Sequence, residues 1–121
     1  MSRTNQSICY QESRFDEQAL DGSQTCYGLM QIRKISHGER MKRLGVTDLY
    51  DIDSNIHVAA DYLAELFEQY EDVGTVLMVY HGEKDAVLKS ERGEVSKYAR
   101  EILERSYELE TLHQKHDLKV R

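Results

Sequence analysis

The sequence predicts a small all-α domain, and three observations predict it. Apolar residues recur at helical spacing, and no alternating stretch runs longer than four residues. Proline is absent, so seven glycines do the punctuating between the periodic segments. The 121 residues, 40% apolar and 31% charged, supply one modest core and leave no room for a second fold. The same composition, without a low-complexity tract, excludes intrinsic disorder.

In the first helix Ile8, Glu12 and Phe15 stand at i, i+4 and i+7, so an acid shares a face with two hydrophobes and Cys9 lies beside it. Residues Leu20 to Tyr27 read as a polar loop. Ile35 to Leu44 reads as a weaker helix, ended by Gly45 in the usual C-terminal position. The clearest helix runs from about Ser54 to Tyr70. Its Ile56, Ala59, Ala60, Leu63, Leu66, Phe67 and Tyr70 share one face, and Asp53 or Ser54 is the expected N-cap. A short apolar helix covers Val76 to Tyr80. Another begins near Val95 and buries Tyr98, Ala99, Ile102, Leu103 and Leu109. Beyond Ser106 the chain is heavily charged and reads as an exposed helical extension. The expected organisation is therefore a domain of residues 1–106 with an extension of 107–121.

Charge narrows the function. Sixteen basic against 22 acidic side chains give a net charge of −6. A nucleic-acid or anionic-membrane binder would carry a basic stripe instead. No apolar run is long enough to span a bilayer, and the N-terminal Met-Ser-Arg-Thr-Asn-Gln-Ser has no apolar signal core. Two cysteines, Cys9 and Cys26, are too few for a disulfide scaffold and lack zinc-site spacing. A bridge between them and a pair of thiols both remain open. His113 and His116, with Asp117 adjacent, have metal-compatible spacing on a helix, but a charged tail without a fixed partner reads as a solvated face. No phosphate-cradling glycine loop and no Ser-His-Asp arrangement is present.

The acid of the first helix is the informative residue. A carboxylate facing a core resists ionisation, which suits a general acid working near neutrality. Downstream, Glu12-Ser13-Arg14-Phe15-Asp16-Glu17-Gln18-Ala19 and then Gly28-Leu29-Met30-Gln31-Ile32 resemble the signature of the Slt-type lytic transglycosylases. Asn55-Ile56 with Ala59-Ala60-Asp61-Tyr62-Leu63 resembles that family's Asn-Ile helix. Val79-Tyr80-His81-Gly82 resembles its Tyr-Asn box, and Ser96-Lys97-Tyr98 with Ile102-Leu103 its closing Tyr helix. The likeness covers about residues 7 to 105 in four ordered motifs.

The resemblance implies a lysozyme-like helical domain with a substrate cleft, and an enzyme that cleaves the glycan strands of peptidoglycan at the cell wall. Glu12 is the single catalytic carboxylate it implies, acting first as acid and then as base. The product is a 1,6-anhydro-N-acetylmuramic acid end, formed without water. Implied substrate-binding positions are Ser13, Gly28, Met30, Gln31, Tyr80, His81 and Tyr98, with Met30 assigned more to packing than to contact. In this reading Gly28 admits a close approach by the sugar, and neither a metal nor a cofactor is required. Glycan strands are the expected partner, with no nucleic acid and no membrane insertion.

Three departures from the family pattern matter. The Asn after the box tyrosine is His81, a group that titrates. Asp21 stands where the family often has Ser, with Ser23 nearby. That residue opens a rival reading, a goose-type-like lysozyme hydrolysing the same bond with Asp21 as a second carboxylate, although those enzymes carry a further acid where this chain has Arg33. Finally, only eleven residues precede Glu12, so the usual N-terminal helix is lacking and the chain reads as a fragment or a short member. A catalytically weak peptidoglycan-binding or assembly module is the third reading.

Overall fold

The computed structural model describes the backbone of residues 1–120 and the side chains of residues 1–116. Six α-helices dominate the described residues: α1 (Arg3–Ser13), α2 (Gly38–Leu44), α3 (Ile52–Gln69), α4 (Val73–Tyr80), α5 (Ala86–Glu91) and α6 (Lys97–Val120). A hairpin of β1 (Cys26–Tyr27) and β2 (Ile32–Arg33) precedes α2, followed by a single 3₁₀ turn at Lys34–Ser36. The all-α expectation holds. The chain forms two compact units, Met1–Gln11 with Leu66–Arg121, and Glu12–Glu65.

In the first unit α4 is the central element. Its sequence, Val-Gly-Thr-Val-Leu-Met-Val-Tyr, is nearly all apolar, as suits a helix whose residues 74–78 are all buried. Val76, Leu77 and Met78 are fully buried, and α4 packs on both α5 and α6. Asp72 starts it, accepting a hydrogen bond from the Thr75 amide at 2.9 Å. The N-terminal segment contributes the buried Ile8 and Cys9, and its buried Ser7 hydroxyl donates to the Ile102 carbonyl at 2.8 Å. On the rim Arg105 donates to Gln11 and lies over the Tyr10 ring, 4.1 Å from its centre.

The second unit buries Leu29, Met30, Ile32, Met41, Val46, Leu49, Val58, Ala59 and Leu63. Arg40 reaches from α2 to both Asp61 and Glu65 on α3, and Arg43 also engages Asp61. The Arg40 Nε–H donates to His37 Nδ1 at 3.3 Å. Burial first, and the neighbouring guanidinium second, hold this imidazole below its ordinary pKa.

Several local expectations need correction. Helix α1 ends at Ser13, so Phe15 does not continue the apolar face: it is 54% exposed with φ +64°. The acid instead shares its helix with the buried Ile8 and Cys9. The expected helix from Ile35 splits at His37, because a 3₁₀ turn and α2 replace one continuous element. Gly45 does terminate α2 in the left-handed conformation. The cap of α3 is Asp51, which accepts from the Ser54 amide at 3.0 Å, and Asp53 and Ser54 lie inside the helix. The segment read as a polar loop contains β1 and a bridge between Leu20 and Tyr27. Helix α5 has no counterpart among the helices expected from periodicity. No disulfide joins Cys9 and Cys26, and both are thiols, the second pushed up in pKa chiefly by burial. Among the described residues no cluster suited to a metal occurs; His113 and His116 are exposed, and the Asp117 side chain lies outside the described residues.

Candidate active site

Glu12 is the penultimate residue of α1 and is half-buried. The backbone just beyond it is unusual. Arg14 and Phe15 both adopt left-handed conformations, φ +52° and +64°, where side chains are disfavoured. Strain of this kind persists only where the surroundings over-determine it, and it concentrates at functional positions. Here the anchor is Ser13, whose hydroxyl donates to the Leu29 carbonyl at 2.8 Å. The end of the acid's helix is thereby tied to the Gly28–Gln31 turn.

That turn is the most tightly determined piece of the second unit. It joins β1 to β2, and the Gln31 amide donates back to the Gly28 carbonyl at 3.1 Å. Asn55, 1% exposed near the start of α3, holds it with its whole amide. The Asn55 Oδ1 accepts from the Met30 amide, and Nδ2 donates to the carbonyls of Tyr27 and Leu49, each at 2.8 Å. Gly28 has φ +77°, and a Cβ there would lie 2.4 Å from both Asn55 Nδ2 and the Leu49 carbonyl. The close neighbour that this glycine accommodates within the fold is therefore the Asn55 amide. Met30 is fully buried. The Gln31 side-chain amide donates to the carbonyls of Ala19 and Gly28 at 3.2 and 3.0 Å, so its nitrogen serves the turn.

Asp21 sits in the loop before β1 and closes it. Its carboxylate accepts from the Ser23 hydroxyl at 2.5 Å and from the amides of Thr25 and Cys26 at 2.8 and 3.0 Å. The Ser23 hydrogen bond, then the backbone amides, lower its pKa to about 2.

The remaining candidates belong to the first unit. Tyr80 is the last residue of α4, half-buried, and His81 caps that helix. The cap is a Schellman turn: the Gly82 amide donates to Val79 and the Glu83 amide to Met78, with Gly82 at φ +77°. This turn brings Glu83 back toward the helix end it has just left. His81 stacks face to face on Tyr98, ring centres 3.7 Å apart and planes 7° from parallel. Tyr98 lies in the first turn of α6, which Ser96 caps by accepting from the Ala99 amide at 3.2 Å.

Two residues that organise these groups were not among the sequence candidates. Asn55 left a signal, being an amide one helical turn from Ala59 on an apolar face. Glu83 left none, because its partners Lys89 and Ser96 are brought to it by turns and not by any local period.

The family model described as "Transglycosylase SLT domain" matches residues 2–103. A relative called "Transglycosylase", from Enterobacteria phage PRD1, is 44% identical over 55 residues, covering 46% of this chain and 19% of that protein. A "Membrane-bound lytic murein transglycosylase F" of Desulfosudis oleivorans is 36% identical over 67 residues, covering 55% of this chain and 14% of that protein. The matches thus span less than a fifth of the length of these relatives. No solved structure matches the chain significantly. With six helices among the described residues and a family match running from the start of α1 into α6, the chain belongs to the transglycosylase SLT domain family.

Proposed function

We propose that this chain is the catalytic domain of a peptidoglycan lytic transglycosylase, acting at the cell wall on the bond between N-acetylmuramic acid and N-acetylglucosamine. Glu12 serves as the single acid and base. As an acid it protonates the bridging oxygen while the muramic acid acetamide stabilises the cationic ring. As a base it then takes the proton from the 6-hydroxyl, which closes onto C1 and completes a 1,6-anhydro ring. No water is consumed, and no metal or cofactor enters the mechanism as written. Ser13, Gly28, Met30 and Gln31 are proposed to shape the glycan site on one unit, and Tyr80, His81 and Tyr98 to bind glycan on the other.

One observation favours this reading over a lysozyme, and it concerns Asp21. A second carboxylate that places or activates water needs spare basicity and an open oxygen. The Asp21 carboxylate accepts four hydrogen bonds, from the Ser23 and Thr25 hydroxyls and the Thr25 and Cys26 amides, and has its pKa lowered to about 2, which makes it a loop staple and a poor base.

The test is mass spectrometry of soluble products from bacterial peptidoglycan, run on the wild type, Glu12→Gln and Asp21→Asn. Anhydro-ended muropeptides from the wild type are expected. They should fall by about 10²–10⁴-fold in Glu12→Gln and persist in Asp21→Asn. Hydrated reducing ends that vanish in Asp21→Asn would install the lysozyme reading. A folded wild type that binds glycan and releases nothing would leave only the binding module.

A further inference from the structure

We infer that Glu83 is a positioning residue that sets the tautomer of His81, so that His81 presents Nε2 as a hydrogen-bond acceptor to a donor group on the glycan. This rests on the reading of His81 as a glycan-binding residue.

The geometry has three parts. First, Glu83 is ringed by donors. Its Oε2 accepts from the Ser96 hydroxyl at 2.7 Å and lies 3.2 Å from His81 Nδ1, while Oε1 pairs with Lys89 Nζ at 3.1 Å. Burial is the largest single influence and pulls this carboxyl upward. The hydrogen bonds from Ser96, His81 and Lys89 outweigh it and leave Glu83 below its ordinary pKa. Glu83 is therefore a carboxylate at neutral pH, able only to accept.

Second, an acceptor at that distance requires the proton of a neutral imidazole to sit on Nδ1. The other nitrogen, Nε2, then carries the lone pair. It has no hydrogen-bond partner among the described residues, and the His81 side chain is 44% exposed. Third, the stack on Tyr98 fixes the plane of the ring, and of the two flips that keep this plane only the present one sets Nδ1 against Glu83. Glu83 is thus linked to the α6 cap through Ser96, to α5 through Lys89 and to the α4 cap through His81. Glu83 meets the imidazole edge, Tyr98 stacks on its face, and Lys89 pairs with the same carboxylate.

The chemistry distinguishes this chain from a relative with asparagine at this place. An asparagine amide offers a donor and an acceptor and swaps them by rotation. An imidazole locked as Nδ1–H offers an acceptor alone, matched to a sugar hydroxyl or an acetamide N–H. The substrate group that His81 selects is therefore a donor.

Imidazole ¹⁵N NMR on the histidine-labelled protein at about pH 8, well above the ordinary histidine pKa, tests the tautomer directly. The His81 signals are identified by their absence in His81→Asn. A protonated Nδ1 and an unprotonated Nε2 are expected, and an Nε2–H ring in the wild type overturns the inference. A kinetic cycle on peptidoglycan tests the consequence. Glu83→Ala should raise KM about fivefold with kcat changed less than twofold, the loss of one positioned hydrogen bond. In a His81→Ala background the same change should add nothing to KM. An equal rise in both backgrounds would make Glu83 merely structural and sink the proposal. Should Glu83→Ala not fold, Glu83→Met enters the same cycle, keeping the side-chain length but offering no oxygen acceptor. If no peptidoglycan is cleaved by any form, the proposed function fails while the NMR result still decides the tautomer.

Discussion

Two turns in this molecule carry candidate glycan-binding residues, and they are held by opposite means. The Gly28–Gln31 turn is fixed by Asn55, a neutral, fully buried amide whose Oδ1 and both Nδ2 hydrogens bond backbone groups. The turn at the end of α4 is fixed by Glu83, a charged group at the rim whose partners are an ammonium, an imidazole and a hydroxyl. A neutral clamp cannot be titrated or screened, so it gives one geometry under all conditions. A charged clamp holds firmly at neutral pH and weakens with acid or salt. The difference assigns the rigid frame beside the acid's helix to Asn55 and the condition-dependent part to Glu83.

The largest effect should come from breaking the neutral clamp. Asn55→Ala leaves the Met30 amide and the Tyr27 and Leu49 carbonyls without their partner. Orphaned buried groups of this kind cost about 1–3 kcal/mol each, partly recovered by relaxation, so a loss of about 3 kcal/mol is expected. Urea unfolding at two pH values checks it. The deficit should be the same at pH 7 and in mild acid, and a deficit that shrinks with acid would erase the contrast between the clamps.

An intermediate effect belongs to Glu83, and here pH is the lever. Its folded pKa is depressed below the ordinary 4.5, so its contribution is fully present above that value. The contribution is lost as pH falls through the lower, folded value. Glu83→Gln should therefore destabilise by about 1–2 kcal/mol at pH 7. The wild type and variant should converge as pH drops below the ordinary 4.5 and through the lower folded value, measured by the same urea midpoints. Two curves that stay parallel into acid would mean that Glu83 acts through packing alone.

The contrast between the clamps also explains what the sequence disclosed. Helices with a single apolar stripe, such as α3, announce themselves by period alone, and the ordered motifs around Glu12, Gly28, Tyr80 and Tyr98 marked the candidate site. Asn55 was visible as part of a motif, yet its job was hidden, because the groups it bonds lie at Met30, Tyr27 and Leu49, far along the chain. Glu83 was invisible, since a glutamate after a glycine looks like any solvated turn until Lys89 and Ser96 are folded against it. Phe15 misled in the other direction. Its spacing fitted a helix face, but the left-handed residues at 14 and 15 ended the helix first. Periodicity reports burial on regular elements, and it is silent about turns whose conformation is set by remote hydrogen bonds.

The smallest effect sharpens the comparison most finely, because it separates charge from hydrogen bonding within one clamp. Lys89 pairs with Glu83 Oε1 but is 35% exposed, so its ammonium remains largely hydrated. A pair of this exposure contributes only about 0.5 kcal/mol. Lys89→Met keeps the aliphatic stem and removes the charge, leaving Ser96 and His81 on the other oxygen. At low salt the variant should lose about 0.5 kcal/mol in urea unfolding, and in about 1 M sodium chloride, where screening acts within a few ångströms, it should match the wild type. A loss that survives high salt would mean that the Lys89 stem, and not its charge, supports the turn. The Glu83 clamp would then rest on its hydroxyl and imidazole donors, closer in kind to Asn55 than its charge suggests.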